Sequence, residues 1–122
     1  MSKQDSIDLT SLTNRLIEFR DERNWKQFHS LKDLIISLNL EAGELLELTQ
    51  WKDAESFEAS VADGQGRKDL EEECADVLLY LLLVAEKSSI DLLKAASDKI
   101  DKNAAKYPVD KAKGNAKKYT QL

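Results

Sequence analysis

Apolar residues recur at helical spacing from the ninth residue onward. Leu9, Leu12, Leu16 and Phe19 follow one another at steps of three and four. This spacing puts them on one face of a helix, so it predicts a first amphipathic helix from about Leu9 to Asn24.

A second helix follows the segment from Trp25 to His29. Ser30 can cap its start, and Asp33 is favourable near the positive end of the helix dipole. We expect this helix to reach about Trp51. Its apolar residues form a stripe wide enough to pack against more than one neighbour, and they are Leu31, Leu34, Ile35, Leu38, Ala42, Leu45 and Leu46.

The pattern weakens and then returns in the second half of the chain. Residues 53–68 hold two of the four glycines and lose strong periodicity, which predicts a loop with at most one short helical turn. A third helix is expected from near Asp69 to about Lys87. Its stretch from Val77 to Ala85 is apolar nearly all round, which is typical of a helix at a bundle centre or a subunit interface.

A fourth helix is expected to open at Asp91 and to end near Lys106, because Pro108 disfavours helical backbone at the residue before it. Four apolar residues of this helix are expected to face inward, namely Leu92, Leu93, Ala96 and Ile100. The tail of residues 108–122 shows no clear period.

The composition agrees with a helical protein. The 122 residues are 42% hydrophobic and 34% charged, with 4 Gly and 1 Pro, which predicts the all-α class. This length fits one domain over residues 1–122, with a helical core at about 9–107. Cys74 is the single cysteine, so an internal disulfide is excluded. The first residues lack the apolar core of a signal peptide, which favours a cytoplasmic protein.

The longest apolar run is far shorter than the roughly 20 residues of a membrane span, so we expect no membrane segment. The formal net charge is -5, but the charge is uneven. Residues 1–98 carry 11 basic and 21 acidic side chains, whereas residues 99–122 carry 7 lysines and 2 aspartates. The acidic body argues against binding to a nucleic acid polymer. The basic tail suits a polyphosphate or an acidic face of another subunit, and the alternative is a solvated tail.

Two pairs of acids stand out against this apolar background. Glu41 and Glu44 are spaced i to i+3 on the second helix, and Glu73 and Asp76 repeat that spacing on the third. Each pair therefore points both carboxylates the same way. Two facing pairs would form an oxygen-only cage that stays ionised only around a cation, and hard oxygen ligands favour Mg²⁺, with Mn²⁺ as the other option. Gly43 weakens the helix between the first two acids, which suggests a close approach there.

One such pair alone is usually a solvated helix face, so the metal hypothesis depends on both pairs being beside apolar helix surfaces. The register leaves an alternative, because Glu47 extends the first acidic row and Glu72 can also face Asp76. We rank Glu73 above Glu72. Di-iron bundles need a Glu-x-x-His motif, and the single histidine, His29, follows no glutamate at that spacing. Mg²⁺ with a phosphate co-ligand is therefore favoured over redox iron.

Other residues suit the remaining parts of a nucleotide. Lys99 and Asn103 share one face of the fourth helix, with Lys106 close by, and can bind phosphate oxygens. A solvated basic face that complements the helix dipole is the alternative. Tyr80 lies on the same face as Asp76, either at the site or in the core.

Aromatic residues bracket the second helix. A base can stack on Trp25 or Trp51, with His29 nearby, although aromatics at helix ends more often belong to the core. Cys74 has no histidine at a spacing that would activate it, so we interpret it as a packing residue.

The chain resembles the MazG-like, all-α nucleoside triphosphate pyrophosphohydrolases, and within them the dCTP pyrophosphatases. The acid pairs match the E-x-x-E and E-x-x-D motifs of this family. The similarity extends over most of the chain from about Leu9, in the segments Phe19 to His29, Glu47 to Lys52, Asp76 to Leu81, Lys99 to Asn103, Lys106 to Val109 and Lys117 to Thr120.

The resemblance implies hydrolysis of a deoxynucleoside triphosphate, with dCTP favoured, to the monophosphate and pyrophosphate. It implies Mg²⁺ on the four acids, with Glu41 or Glu44 as the base. It further implies a four-helix bundle assembled as a homotetramer, a dimer of dimers. The matched positions are Lys99 and Asn103 for phosphate, Tyr80 for the sugar, and Trp25, His29 and Trp51 for the base. The alternatives are a non-catalytic helical module that binds Mg-nucleotide and an assembly bundle with solvated acids.

Overall fold

The computed structural model describes residues 6–121, and every regular element in this range is helical. The all-α prediction is therefore confirmed. The α-helices are α1 (Leu9–Glu22), α2 (Leu31–Glu47), α3 (Ala54–Ser60), α4 (Gly64–Ser88), α5 (Leu92–Lys106) and α6 (Val109–Ala112). Short 3-10 helices occupy Lys26–Phe28 and Tyr119–Gln121.

Side-chain caps start four of these helices. The predicted cap Ser30 accepts the backbone N–H of Asp33 at 3.0 Å. Asp91, also predicted to open a helix, accepts from the backbone N–H of Lys94 at 3.1 Å. Two further caps, at α1 and α3, come from Asp8 and Asp53. Each cap satisfies a backbone donor that the first helical turn leaves unpaired.

Two helices end earlier than their apolar pattern predicts. α1 ends at Glu22, and Asn24 then adopts a left-handed backbone with φ of 54°. α2 ends at Glu47 instead of about Trp51, and Trp51 has φ of 64°. A left-handed residue cannot continue a right-handed helix, so these backbone turns override the side-chain pattern.

The loop prediction for residues 53–68 is wrong over most of its length. This region contains α3 and the first turn of α4. Asp53 starts α3 by accepting the backbone N–H of Ser56 at 2.8 Å. A Cβ on Gly66 would lie 1.8 Å from the carbonyl oxygen of Ser60, so this glycine lets α4 pass close to the end of α3. The glycine marks helix packing here rather than a loop.

The contacts divide the chain into two compact units, one up to Ser89 and one from Ile90 onward. In the first unit, α4 packs against both α2 and α1. The buried apolar side chains come from α2 and α4 and are Leu34, Leu82, Leu83 and Ala85. α4 is thus the helix that the others share, as its all-round apolar stretch predicts.

The second unit contains α5 and α6. α5 has the predicted bounds, with Asp91 as its N-cap and Lys106 as its last residue. Leu93 and Ile100, which were expected to face inward, are 63% and 68% exposed. Ala96 is exposed as well, whereas Leu92 is half-buried. The inward prediction is therefore wrong for Leu93, Ala96 and Ile100 within the single chain.

Large apolar side chains are also exposed on the first unit. Ile36, Leu40 and Leu46 on α2 are examples, at 46%, 63% and 67% exposed. Within the described part of the chain, no helix combines the length and the apolar character that crossing a membrane requires.

Candidate functional site

Three carboxylates from two helices converge in the first unit. Glu41 projects from α2, and Glu73 and Asp76 project from α4. One oxygen of each lies within 4.8 Å of the others, and all three residues are half-buried. The i to i+3 spacing aligns the two acids of α4, and the packing of α2 on α4 brings Glu41 to them. We call these three residues the acid cluster.

Glu44 lies beside the acid cluster. It is exposed on α2, and its carboxylate forms a hydrogen bond with that of Glu41. Its negative charge also acts on Glu73. The four acids that the sequence singles out are therefore neighbours, with three of them in close mutual contact and Glu44 at the edge.

Burial and the neighbouring acids change the protonation of the cluster. Burial, the hydrogen bond to Glu44 and the charges of Glu44, Asp76 and Glu73 together raise the pKa of Glu41 to about 7. The pKa of Glu73 is raised first by burial and then by Glu44 and Asp76. These shifts mean that the ionised cluster lacks compensating positive charge from the protein.

One oxygen of the cluster also has no partner. Glu73 Oε2 is buried and makes no hydrogen bond with the described residues. Such an atom is costly unless something satisfies it. An oxygen-only ligand set with excess negative charge and an unsatisfied buried oxygen fits a hard divalent cation such as Mg²⁺ or Mn²⁺.

The alternative register residues lie outside the acid cluster. Glu47 and Glu72 are both exposed, whereas Glu73 is half-buried within the cluster. Gly43 does not show the close approach that its position suggested, since a Cβ there would meet no atom within 4 Å.

A small cavity of 120 Å³ borders the acid cluster. Its wall includes three of the residues predicted for the base and sugar, and the lining is Leu16, Phe19, Arg20, Trp25, His29, Asp76, Leu79, Tyr80 and Leu83. Asp76 belongs both to this wall and to the acid cluster. A complete ligand site usually has a volume of at least about 300 Å³, so this cavity suits one part of a ligand.

His29 lines the cavity, and its side chain is half-buried. Its Nδ1 atom is buried and has no hydrogen-bond partner among the described residues. Burial lowers the pKa of the imidazole, and the positive charge of Arg20 lowers it further. A neutral imidazole has one donor and one acceptor nitrogen, so His29 can take part in directional hydrogen bonds with a ligand.

Trp25 is held by local contacts. Its backbone N–H donates to the carbonyl oxygen of Arg20 at 3.1 Å, and its ring packs edge-on against Phe19 with centroids 5.6 Å apart. The side chain remains 45% exposed, so part of the ring is accessible. Trp51 is different, because it is 99% exposed and does not line the cavity.

The residues predicted to bind phosphate belong to the second unit. Lys99 and Asn103 are exposed and lie four residues apart on α5, and Lys106 is the last residue of that helix. Residues at this spacing share one helix face. Their role in phosphate binding stays a prediction.

Arg20 is the cavity residue that the sequence reasoning missed. It is 5% exposed and lies on α1. Arg20 follows Leu16 by four residues, so it occupies the inward face of α1. A charged residue at an inward position of an apolar row is the signal that could have identified it.

Comparisons with known proteins identify the family and the fold of this chain. The model of the MazG-like family matches residues 36–122. A curated relative, dCTP pyrophosphatase 1 from Bos taurus, is 42% identical over 105 residues. The human protein of the same name is 40% identical over 105 residues. Each alignment covers 86% of this chain and 62% of the relative, so the chain spans less than two thirds of the length of these relatives.

A solved structure has the same fold. It is a pyrophosphatase from Archaeoglobus fulgidus, with a TM-score of 0.77 and 36% sequence identity. The match covers 88% of this chain and 99% of the archaeal chain. The helical arrangement is therefore that of a known pyrophosphatase structure over most of the chain.

Proposed function

The chain belongs to the MazG-like family, and from this premise we propose that it hydrolyses a deoxynucleoside triphosphate to the monophosphate and pyrophosphate. The observation that carries the proposal is the position of Asp76, which joins the acid cluster to the cavity of His29 and Trp25. A metal-binding end and a base-binding end are thus adjacent. The relatives named dCTP pyrophosphatase 1 favour dCTP as the preferred substrate.

Glu41, Glu73 and Asp76 would hold Mg²⁺, with Glu44 available as a fourth ligand and Mn²⁺ as a substitute. A divalent cation at such a site neutralises phosphate oxygens and lowers the pKa of water. The side chains supply hard oxygen ligands from two packed helices. The raised pKa values of Glu41 and Glu73 support this proposal, because a cation between the carboxylates would favour their ionised form.

In the proposed reaction, water attacks the α-phosphorus. The water oxygen bonds to that phosphorus, the bond to the bridging oxygen breaks, and pyrophosphate leaves with the bonding electron pair. Glu44 takes the proton of the attacking water, because it lies at the edge of the cluster and is exposed to solvent. Glu41 fills this role if Glu44 is recruited as a ligand.

The base end would use Trp25 and His29. The accessible part of the Trp25 ring offers a stacking surface, which is worth about 1–3 kcal/mol per base. Neutral His29 can donate or accept a hydrogen bond with the edge of the base. Tyr80 lines the same cavity as Asp76 and is proposed to contact the sugar.

Trp51 is proposed as a further base contact. Its full exposure and left-handed backbone are costly for a tryptophan unless it contacts a partner or a ligand. The phosphate contacts are assigned to Lys99, Asn103 and Lys106, since lysine supplies point charges and asparagine supplies directional hydrogen bonds.

We further propose that four chains assemble as a dimer of dimers that completes the four-helix bundle. Only four apolar side chains among those that the structure describes are buried, whereas Ile36, Leu40, Leu46, Leu93 and Ile100 are exposed. Large exposed apolar side chains on α2 and on α5 suit subunit interfaces, where they would be removed from water.

Product analysis tests the proposed reaction. Purified protein is incubated with each deoxynucleoside triphosphate and Mg²⁺ in ¹⁸O-labelled water. The products are then separated, and their masses are measured by mass spectrometry. Monophosphate carrying the label together with unlabelled pyrophosphate is the expected result, with dCTP consumed fastest. Diphosphate with orthophosphate, or no turnover of any triphosphate, would contradict the proposal.

A further inference from the structure

Arg20 is the one charged residue that is buried in the described part of the chain, at 5% exposed. It lies near the end of α1, and its guanidinium is held from two sides. Nε is 2.9 Å from Asp21 Oδ1, and Nη1 is 3.0 Å from Glu86 Oε1 on α4. The Arg20–Glu86 ion pair therefore joins α1 to the central helix of the first unit.

A buried ion pair contributes little net free energy to the packing of two helices. Burying the charges costs hydration that their attraction only partly returns, and an apolar pair of similar volume is often as stable. The side chain of Glu86 is 31% exposed, whereas that of Arg20 is 6% exposed, so most of this cost falls on Arg20. Stability alone does not account for a charge at this position.

Arg20 is connected in two ways to Trp25 and His29, the residues proposed to bind the base. Its carbonyl oxygen accepts the backbone N–H of Trp25 at 3.1 Å, which ties the backbone at Trp25 to the last turn of α1. Its side chain lines the cavity together with His29 and Asp76. The Arg20 charge also acts on His29 and favours the neutral imidazole. Arg20 is thus linked both to the backbone of Trp25 and to the cavity that His29 lines.

We propose that Arg20, clamped by Glu86, is a positioning residue that holds Trp25 and His29 at the base end of the site. This role rests on the proposed function, because it presumes that the cavity takes a nucleobase. In this role Arg20 acts through the residues that it holds. Loosening the clamp should therefore weaken recognition of the base and leave the metal end unchanged.

The informative variant is Glu86→Gln, which keeps a hydrogen-bond acceptor for Arg20 and removes the charge. The matched control is Glu71→Gln, which removes the acid of the exposed Arg67–Glu71 pair on the same helix, where the atoms are 3.3 Å apart. Arg20→Lys is the second variant, since lysine keeps the positive charge but cannot reach both acids with a planar fork. Circular dichroism establishes that each variant keeps its helices.

Kinetics with two substrates distinguish effects on base recognition from effects on the metal-binding residues. One is dCTP, and the other is deoxyribose triphosphate, which lacks a base. We expect Glu86→Gln to raise KM for dCTP about tenfold with kcat within about twofold of the parent, the size of effect expected for one weakened polar contact. The kinetics with deoxyribose triphosphate and the Mg²⁺ concentration for half-maximal rate should not change. Arg20→Lys should show the same pattern, and Glu71→Gln should match the parent.

Binding of dCMP to the metal-free protein gives a measurement without turnover. Quenching of tryptophan fluorescence should show a weaker dCMP affinity in Glu86→Gln and in Arg20→Lys, with Glu71→Gln unchanged. If the parent binds dCMP but hydrolyses no triphosphate, the proposed reaction fails and this titration still tests Arg20. Equal losses with both substrates, a changed Mg²⁺ requirement, or parent-like KM and dCMP affinity in a folded Glu86→Gln would overturn the positioning role.

Discussion

Glu41 and Asp76 come from different helices, yet a carboxylate oxygen of one lies within 4.8 Å of a carboxylate oxygen of the other. Glu73 completes the same group, and burial together with the neighbouring acids raises the pKa of Glu41 to about 7. The fold therefore holds three carboxyl groups close together, and all three residues are half-buried. Several measurable properties of the protein depend on this arrangement.

Stability without metal should fall as the pH rises. Glu41 has a pKa of about 7 in the folded protein against a reference value of 4.5, so the folded state binds more protons than the unfolded state between these values. The free energy of unfolding contributed by this group is thus fully present below the lower value and is lost as the pH rises through the upper one.

Thermal denaturation with EDTA and with Mg²⁺ measures this effect. Mg²⁺ should raise Tm more at about pH 8 than at about pH 6, because a cation competes with protons for the carboxylates. An Mg²⁺ shift that is absent, or that is larger at the lower pH, would contradict the metal site.

Replacing Glu41 by glutamine should separate activity from stability. Glu41→Gln removes one of the proposed metal ligands and one of the repelling charges, so the metal-free variant should be at least as stable as the parent. Turnover of dCTP should fall by at least about 100-fold, since even the outer partners of a metal site are worth 10–100-fold. Glu47→Gln, exposed at the end of the same helix, is the control and should keep parental activity. Full activity in Glu41→Gln would remove this residue from the site.

The register of the second acid pair can be tested by comparing neighbours. Glu73 lies in the acid cluster with a buried, unpartnered oxygen, whereas Glu72 is exposed. Glu73→Gln should therefore lose the Mg²⁺ stabilisation and most of the turnover, while Glu72→Gln should keep both. The two variants have the same change in charge, so a larger loss in Glu72→Gln would show that the other register is used.

Two glycines should respond oppositely to alanine. A Cβ on Gly66 would lie 1.8 Å from the Ser60 carbonyl oxygen, so helix backbone has to shift. Gly66→Ala should cost about 1–3 kcal/mol, as overpacking usually does. A Cβ on Gly43 meets nothing within 4 Å, so Gly43→Ala should stabilise α2 by about 0.5–1 kcal/mol.

Urea denaturation at equal chain concentration, with EDTA present, compares the two alanine variants. A Gly66→Ala variant as stable as the parent would mean that α3 and α4 do not approach as described. A destabilised Gly43→Ala would indicate that another subunit contacts α2 at this point.

The molar mass of the protein in solution tests the proposed tetramer. Sedimentation should give four times the chain mass of 13.8 kDa. Leu40→Asp places a charge on an apolar side chain of α2 that is 63% exposed and should lower this mass. Asn39→Asp adds the same charge at the neighbouring exposed position and should leave the mass unchanged. A monomeric parent protein would contradict the tetramer.

The sequence by itself determined the helical class, the caps at Ser30 and Asp91, and the two acid pairs. These features are local, since they depend on apolar spacing, on cap chemistry and on the i to i+3 geometry of one helix. For residues 54–60 the sequence predicted at most one short turn within a loop, because its weak apolar periodicity does not reveal the close packing of α3 on α4 that Gly66 permits.

Only the tertiary structure decided which acids meet and what surrounds them. The packing of α2 on α4 brings Glu41 to Glu73 and Asp76 and leaves Glu72 outside, a choice that the acid spacing alone left open. The inward position of Arg20 could be found from its spacing after Leu16, but its ion pair with Glu86 could not, because it depends on a contact between residues far apart in the chain. Spacing along a helix orients a side chain, but the neighbouring helix decides its partners and hence its charge state.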